Sequence, residues 1–133
     1  MCGIFALFLR RPLQDADIAL AREGRDLLAH RGPDGAGEWI DRQAGVYLGH
    51  RRLAIVDPGP DSDQPMARAE SVVTYNGELY NFRSIREDLR QTGCQFQSAG
   101  DVEVLLQAWR RDGERALDRF DGMFAFALWD GER

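Results

Sequence analysis

Apolar and polar positions along the chain change period from one stretch to the next. Gly3 to Leu9 is a continuous apolar run containing Ile4, Phe5 and Phe8, which reads as a strand covered on both faces. From Asp15 to His30 the period becomes helical. Ile18, Ala21, Leu27 and Leu28 fall near one face, and Asp15 and Asp17 stand in the first turn, where the helix dipole favours them. "HRGPDGAG" ends that helix, since Pro33 and its glycines cannot continue it. "GEWI" and "VYLGHRRLAIV" then flank a "DRQAG" turn as a hairpin, and "DPGPDSDQP" is a loop. "SVVTYNG" has a β-branched core and closes on Asn-Gly, a strong turn signal. Phe82 to Gln91 is predicted helical, with Ile85 and Leu89 four apart and Asn81 as N-cap. A second helix is predicted over Asp101 to Arg111, with Asp101 as N-cap and Val104, Leu105 and Ala108 as its apolar stripe. Leu117 and Phe120 belong to a short helical piece, and "MFAFALWDGER" is a buried strand running into an Asp-Gly turn.

Helices alternating with hairpin-connected strands predict an α+β fold with largely antiparallel sheets. Neither a GxGxxG nor a P-loop pattern occurs. Asp130-Gly131 has the form of a hairpin start, yet only two residues follow it. The expectation is therefore a domain truncated at its C-terminal side.

Composition narrows the function classes. The chain has 133 residues, 44% hydrophobic and 29% charged, which suits one globular domain with a real core. A net charge of −5, with basic residues only in short pairs, argues against nucleic acid or an anionic membrane as partner. "GIFALFL" is far too short to span a bilayer, and Arg10 and Arg11 follow it rather than precede it. Two cysteines and two histidines form no disulfide framework and no CxxC-type metal pattern, so no metal site is expected. A reducing, cytosolic setting fits that usage. Cys2 raises its own question, because so little chain lies ahead of it. It is either a small hydrophobe leading into a buried strand or part of a chemistry that uses the chain end.

The ordered set "MCGI", "HRGPDG", "GHRRLAIVD", "QP", "YNGELYN", "GDVEV" and "GMFAFALWD" closely resembles the N-terminal glutaminase domain of glutamine-hydrolysing asparagine synthetases. These are class II glutamine amidotransferases of the N-terminal-nucleophile hydrolase type. The resemblance covers nearly the whole chain. It implies a four-layer α/β/β/α sandwich of mainly antiparallel sheets, with residues 1–133 forming an incomplete type 2 amidotransferase domain. The synthetase domain that follows in such enzymes, with its ATP and Mg, is absent from this sequence, so no cofactor is expected in these residues. The partners implied are glutamine and that synthetase domain, and the family leaves room for a homodimer.

The resemblance also implies site residues. Met1 is removed, so that Cys2 becomes both nucleophile and, through its free α-amine, base. Such an amine ordinarily has a pKa of about 7.7–8.0, so a neutral fraction exists near pH 7. Asn76 and Gly77 supply a side-chain amide and a backbone N–H to the oxyanion. Arg52 takes the α-carboxylate of glutamine, and Glu78 and Asp101 take its α-ammonium. The backbone of Ile55 and Val56 lines the pocket. Asn76-Gly77 as a turn and Asp101 as an N-cap are compatible with these roles. Arg51 falls where the family varies and reads as surface. Gly100 stands where the family has Ser or Thr, which removes a hydroxyl near the ammonium. "HRGPDG" reads as a structural loop, Cys94 as a buried or half-buried thiol, and His30 and His50 as structural. Two alternatives stay open: a class II amidotransferase with a different acceptor, and a non-catalytic fragment.

Overall fold

A computed structural model describes residues 1–53 and 63–131. Its elements in chain order are β1 (Gly3–Phe8), α1 (Asp15–Asp26), β2 (Gly35–Asp41), β3 (Val46–Arg52), β4 (Met66–Arg68), β5 (Ser71–Leu79), α2 (Phe82–Gln91), α3 (Asp101–Asp112), a 3₁₀ turn (Gly113–Arg119) and β6 (Gly122–Asp130). The strands form two antiparallel sheets, ordered β1-β3-β2 and β4-β5-β6. Burial assigns the layers. Ile18 and Ala21 of α1 pack on Tyr47, Phe5 and Leu7, on the outer face of the first sheet. Leu105 and Leu106 of α3 pack on Val73, Tyr75, Phe124 and Phe126, on the outer face of the second. Ile85 and Leu89 extend that layer by packing α2 beside Val104 and Ala108 of α3. Between the sheets lie Val46, Leu48 and Val72, flanked by Trp39, Ala127 and Trp129. The order is helix, sheet, sheet, helix, and the expected α+β sandwich is present.

Helices are where sequence period and structure agree most closely. α2 spans the predicted residues, and α3 differs by one residue at its end. α1 stops at Asp26, four residues short of the prediction, and the chain turns through residues 27–31. That turn swings Leu27 out to 77% exposure instead of onto the apolar face. It also brings Leu28 down onto Gly3, where an added Cβ would stand 2.7 Å from the Leu28 Cβ.

The strands depart further. β1 is an outer strand of its sheet and β3 the central one. One face of β1 packs on α1 through Phe5 and Leu7, but on the other face Phe8 is 49% exposed. β6 is likewise half-buried rather than buried. Asn76-Gly77 makes no turn. β5 runs through it to Leu79, with Asn76 opposite Ala125 and Gly77 opposite Phe124. Pairing along all of β6 overrides the local turn preference of the dipeptide. The predicted strand around Leu53–Val56 ends at Arg52, and Ile55 and Val56 lie outside the described residues.

Candidate active site

At one end of the sandwich a cavity of about 470 Å³ opens between the sheets. Each wall comes from a different stretch of sequence. Cys2 arrives just ahead of β1, Arg52 and Leu53 at the end of β3, Asn76, Gly77 and Glu78 late in β5, and Gly100 and Asp101 at the start of α3. Met123 and Phe124 of β6 close one side.

The sulfur of Cys2 is half-buried and held by the backbone of Leu53. The Leu53 N–H donates to Sγ at 3.4 Å, and Sγ lies 3.8 Å from the Leu53 carbonyl. The Cys2 carbonyl accepts from Arg31 Nε at 3.2 Å. Arg31 comes from the turn after α1, and that turn is seated on the end of β3. A Cβ on Gly32 would meet the Arg51 carbonyl at 2.2 Å, so only glycine permits the approach. Arg51 holds the same turn by donating from Nε to the Gly32 carbonyl at 3.2 Å, and its guanidinium reaches Asp26. The expectation that Arg51 is a surface residue is therefore corrected: it ties β3 to the loop that borders Cys2. Met1 lies at the cavity mouth and is 70% exposed.

Arg52 lines the cavity with its guanidinium already paired to the Asp63 carboxylate. Gly77 adopts φ +154°, and a Cβ there would lie 2.3 Å from the Met123 carbonyl oxygen and 2.5 Å from the Phe124 Cα. The bare backbone of Gly77 is what allows β5 and β6 to close beside the cavity. Glu78 is exposed at the rim. Asp101 differs from its predicted local role. Gly100 is the N-cap of α3 and Asp101 is the first helical residue, with no side-chain cap bond. Its Oδ2 instead accepts from the Tyr75 hydroxyl at 2.7 Å and from the Leu79 N–H at 2.9 Å. Burial and the Asp101 bond both push the Tyr75 hydroxyl well above its usual pKa, which keeps it a donor. Oδ1 carries no hydrogen bond among the described residues, and Asp101 lines the cavity.

Two lining groups, Tyr75 and Gln64, were not singled out from the sequence, and a third, His50, reads from it as structural. Tyr75 reads there only as a strand aromatic. Gln64, whose "QP" motif was the available signal, accepts from the Tyr75 N–H at 2.6 Å through Oε1. His50 is 2% exposed, and its Nε2 has no hydrogen-bond partner among the described residues. Burial holds its pKa down to about 4, against the opposing pull of its bond to the Tyr75 backbone, so the ring is neutral at pH 7. Cys94 is half-buried, as expected, with burial pushing its thiol pKa up. Among the described residues no helix is long and apolar enough to cross a membrane.

Known proteins match over this same extent. Asparagine synthetase [glutamine-hydrolyzing] 2 of rice (Oryza sativa subsp. japonica) is 42% identical over 137 residues, covering 98% of this chain and 22% of its own length. Asparagine synthetase [glutamine-hydrolyzing] 1 of Bacillus subtilis is 37% identical over 134 residues, covering 98% and 21%. The chain thus spans about a fifth of the length of these relatives. Among solved structures, the glutamine phosphoribosylpyrophosphate amidotransferase of B. subtilis superposes with a TM-score of 0.78 at 22% identity, over 97% of this chain and 35% of that one, and so shares the fold. The profile of the glutamine amidotransferase domain matches residues 1–133 from end to end, and the chain belongs to that family.

Proposed function

We propose that this chain hydrolyses the side-chain amide of glutamine through a thioester on Cys2, and that the ammonia serves asparagine synthesis in a longer protein of the kind its relatives represent. One observation carries the reading. Cys2, Arg52, Asn76, Gly77, Glu78 and Asp101, spread over 100 residues of sequence, line one cavity. That set contains a nucleophile, a guanidinium for a carboxylate, carboxylates for an ammonium and an amide donor beside a glycine backbone, which are the groups glutamine needs.

With Met1 removed, the Cys2 α-amine takes the thiol proton and Sγ attacks the amide carbon of glutamine. Asn76 and the Gly77 N–H receive the oxyanion. The amide C–N bond breaks as the nitrogen takes the proton held by the amine, and ammonia leaves. Water then cleaves the thioester, releasing glutamate and restoring the thiol. Arg52 engages the α-carboxylate, exchanging or sharing its present partner Asp63, and Glu78 with the open oxygen of Asp101 engages the α-ammonium. ATP and Mg belong to the synthetase part of such a protein, and the cytosol is the compartment we assign.

Intact mass after reaction with a glutamine-mimicking electrophile tests this directly. The expected result is loss of the Met1 mass with one adduct, and no adduct on Cys2→Ala. Full glutaminase activity with Met1 retained would refute the amine base. Parental activity in Cys2→Ala would refute the nucleophile.

A further inference from the structure

Between α2 and α3 the chain crosses residues 92–100 before delivering Asp101 to the cavity. Two buried side chains of opposite charge grip the end of this segment. Arg86, on α2, donates from Nη1 to the Ser98 carbonyl at 2.7 Å and from Nη2 to the Gly100 carbonyl at 2.6 Å. Its guanidinium lies over the Phe96 ring at 4.7 Å and near Phe82 at 5.9 Å, which fixes the plane of the fork. Glu103, on the first turn of α3, is wholly buried and accepts from the opposite set of groups. The Ser98 N–H reaches it at 2.6 Å, the Ser98 hydroxyl at 2.7 Å and the Gln97 N–H at 3.0 Å. Arg68 of β4 completes its shell at 2.8 Å. The carbonyls of Ser98 and Gly100 and the N–H groups of Gln97 and Ser98 are thus held by buried side chains on the approach to Asp101.

We propose that Arg86 and Glu103 are positioning residues for substrate recognition: together they set the backbone of residues 97–100 so that Asp101 presents its open oxygen to the α-ammonium of glutamine. The inference rests on the reading of Asp101 given under Proposed function. Two buried charges clamping one loop exceed what chain continuity requires, because Gly100 already serves as the N-cap and α3 is anchored by its own apolar stripe. Neither group lines the cavity. Their effect is confined to where one carboxylate stands.

The test uses glutamine and its deamino analogue glutaramic acid, which keeps the amide and the carboxylate but lacks the ammonium. Glu103→Gln and Arg86→Lys are expected to raise KM for glutamine roughly tenfold or more, as misplacement of a recognition group does. Their kcat is expected to stay within about twofold, the signature of lost ground-state binding, with kcat/KM on glutaramic acid unchanged. The preference for glutamine therefore falls. Equal losses on both substrates, or no loss on either, overturn the proposal. If Glu103→Gln does not fold, Arg86→Lys and Ser98→Ala decide in its place, since both leave the Arg68–Glu103 pair intact. Asp101→Asn separates the two levels. If it retains full preference for glutamine, the ammonium assignment is wrong and the clamp falls with it. If it loses preference while the clamp variants keep theirs, the clamp alone is wrong.

Discussion

Single atoms decide what the cavity can do. Oδ2 of Asp101 is held by Tyr75 and Leu79, which leaves one oxygen for a ligand. Asn76 lines the cavity, with its backbone locked in β5 against Ala125. Removal of one oxyanion donor costs roughly 10²–10³ in rate. On the role proposed for Asn76 as an oxyanion donor, Asn76→Ala is expected to lose about that much in kcat with a smaller change in KM, and steady-state glutaminase kinetics check it. His50 makes a prediction of the opposite kind, about stability. Its folded pKa of about 4 lies below its ordinary value of 6.5. The unfolded chain therefore takes up the proton first, and the stability of the neutral ring is fully present above pH 6.5. It is lost as the pH falls toward 4, by about 3 kcal/mol in all. Urea midpoints measured from pH 7 to pH 4.5 are expected to fall more steeply for the parent than for His50→Gln. Parallel slopes would contradict this.

Elements set which of these atoms meet. β5 is the strand on which the site depends, since Tyr75, Asn76, Gly77 and Glu78 all reach the cavity from it. Gly77 sits where two backbones nearly touch, so Gly77→Ala must push β6 away. The expected cost is about 1–3 kcal/mol of strain, read as a lower thermal midpoint, together with loss of glutaminase activity. Much of the element order was legible in the sequence, for a physical reason. α2 and α3 carry their apolar residues at helical spacing, and Ile85, Leu89, Val104, Leu105 and Ala108 all reach the core. The misreadings arose where neighbours outweighed local preference. Asn-Gly favours a turn in isolation, yet here it extends a strand because β6 pairs along its whole length. The apolar run of β1 does not reveal whether one or both of its faces will be covered. Asp101 is a helical residue instead of a cap, and its carboxylate is taken up by Tyr75 and Leu79 of β5, partners that no local spacing announces.

The whole molecule holds the site between its two sheets. Besides the apolar cluster of Val46, Leu48 and Val72, the Thr74 hydroxyl donates across the gap to the Gly49 carbonyl at 3.1 Å, fully buried. Thr74→Val keeps the shape but removes that bond while the Gly49 carbonyl stays in the β3 ladder, so a loss of about 0.5–1.5 kcal/mol is expected in urea unfolding. The family motifs named Cys2, Arg52, Asn76, Gly77, Glu78 and Asp101, and all six line the cavity. Gln64, Tyr75 and Arg31 were not assigned roles, because their importance lies in hydrogen bonds to other chain segments and has no period or spacing to reveal it. The dispersal of the site along the chain also has a consequence in time. At roughly 5–20 residues per second, the ribosome delivers Asp101 about 5–20 s after Cys2. For about the first half of that interval Leu53 has not been made, and until β6 follows Asp101 the second sheet is incomplete. The newborn protein thus carries the Cys2 thiol before its pocket is complete, and on the role proposed for that sulfur, oxidants or alkylating agents have access to it earlier than glutamine does.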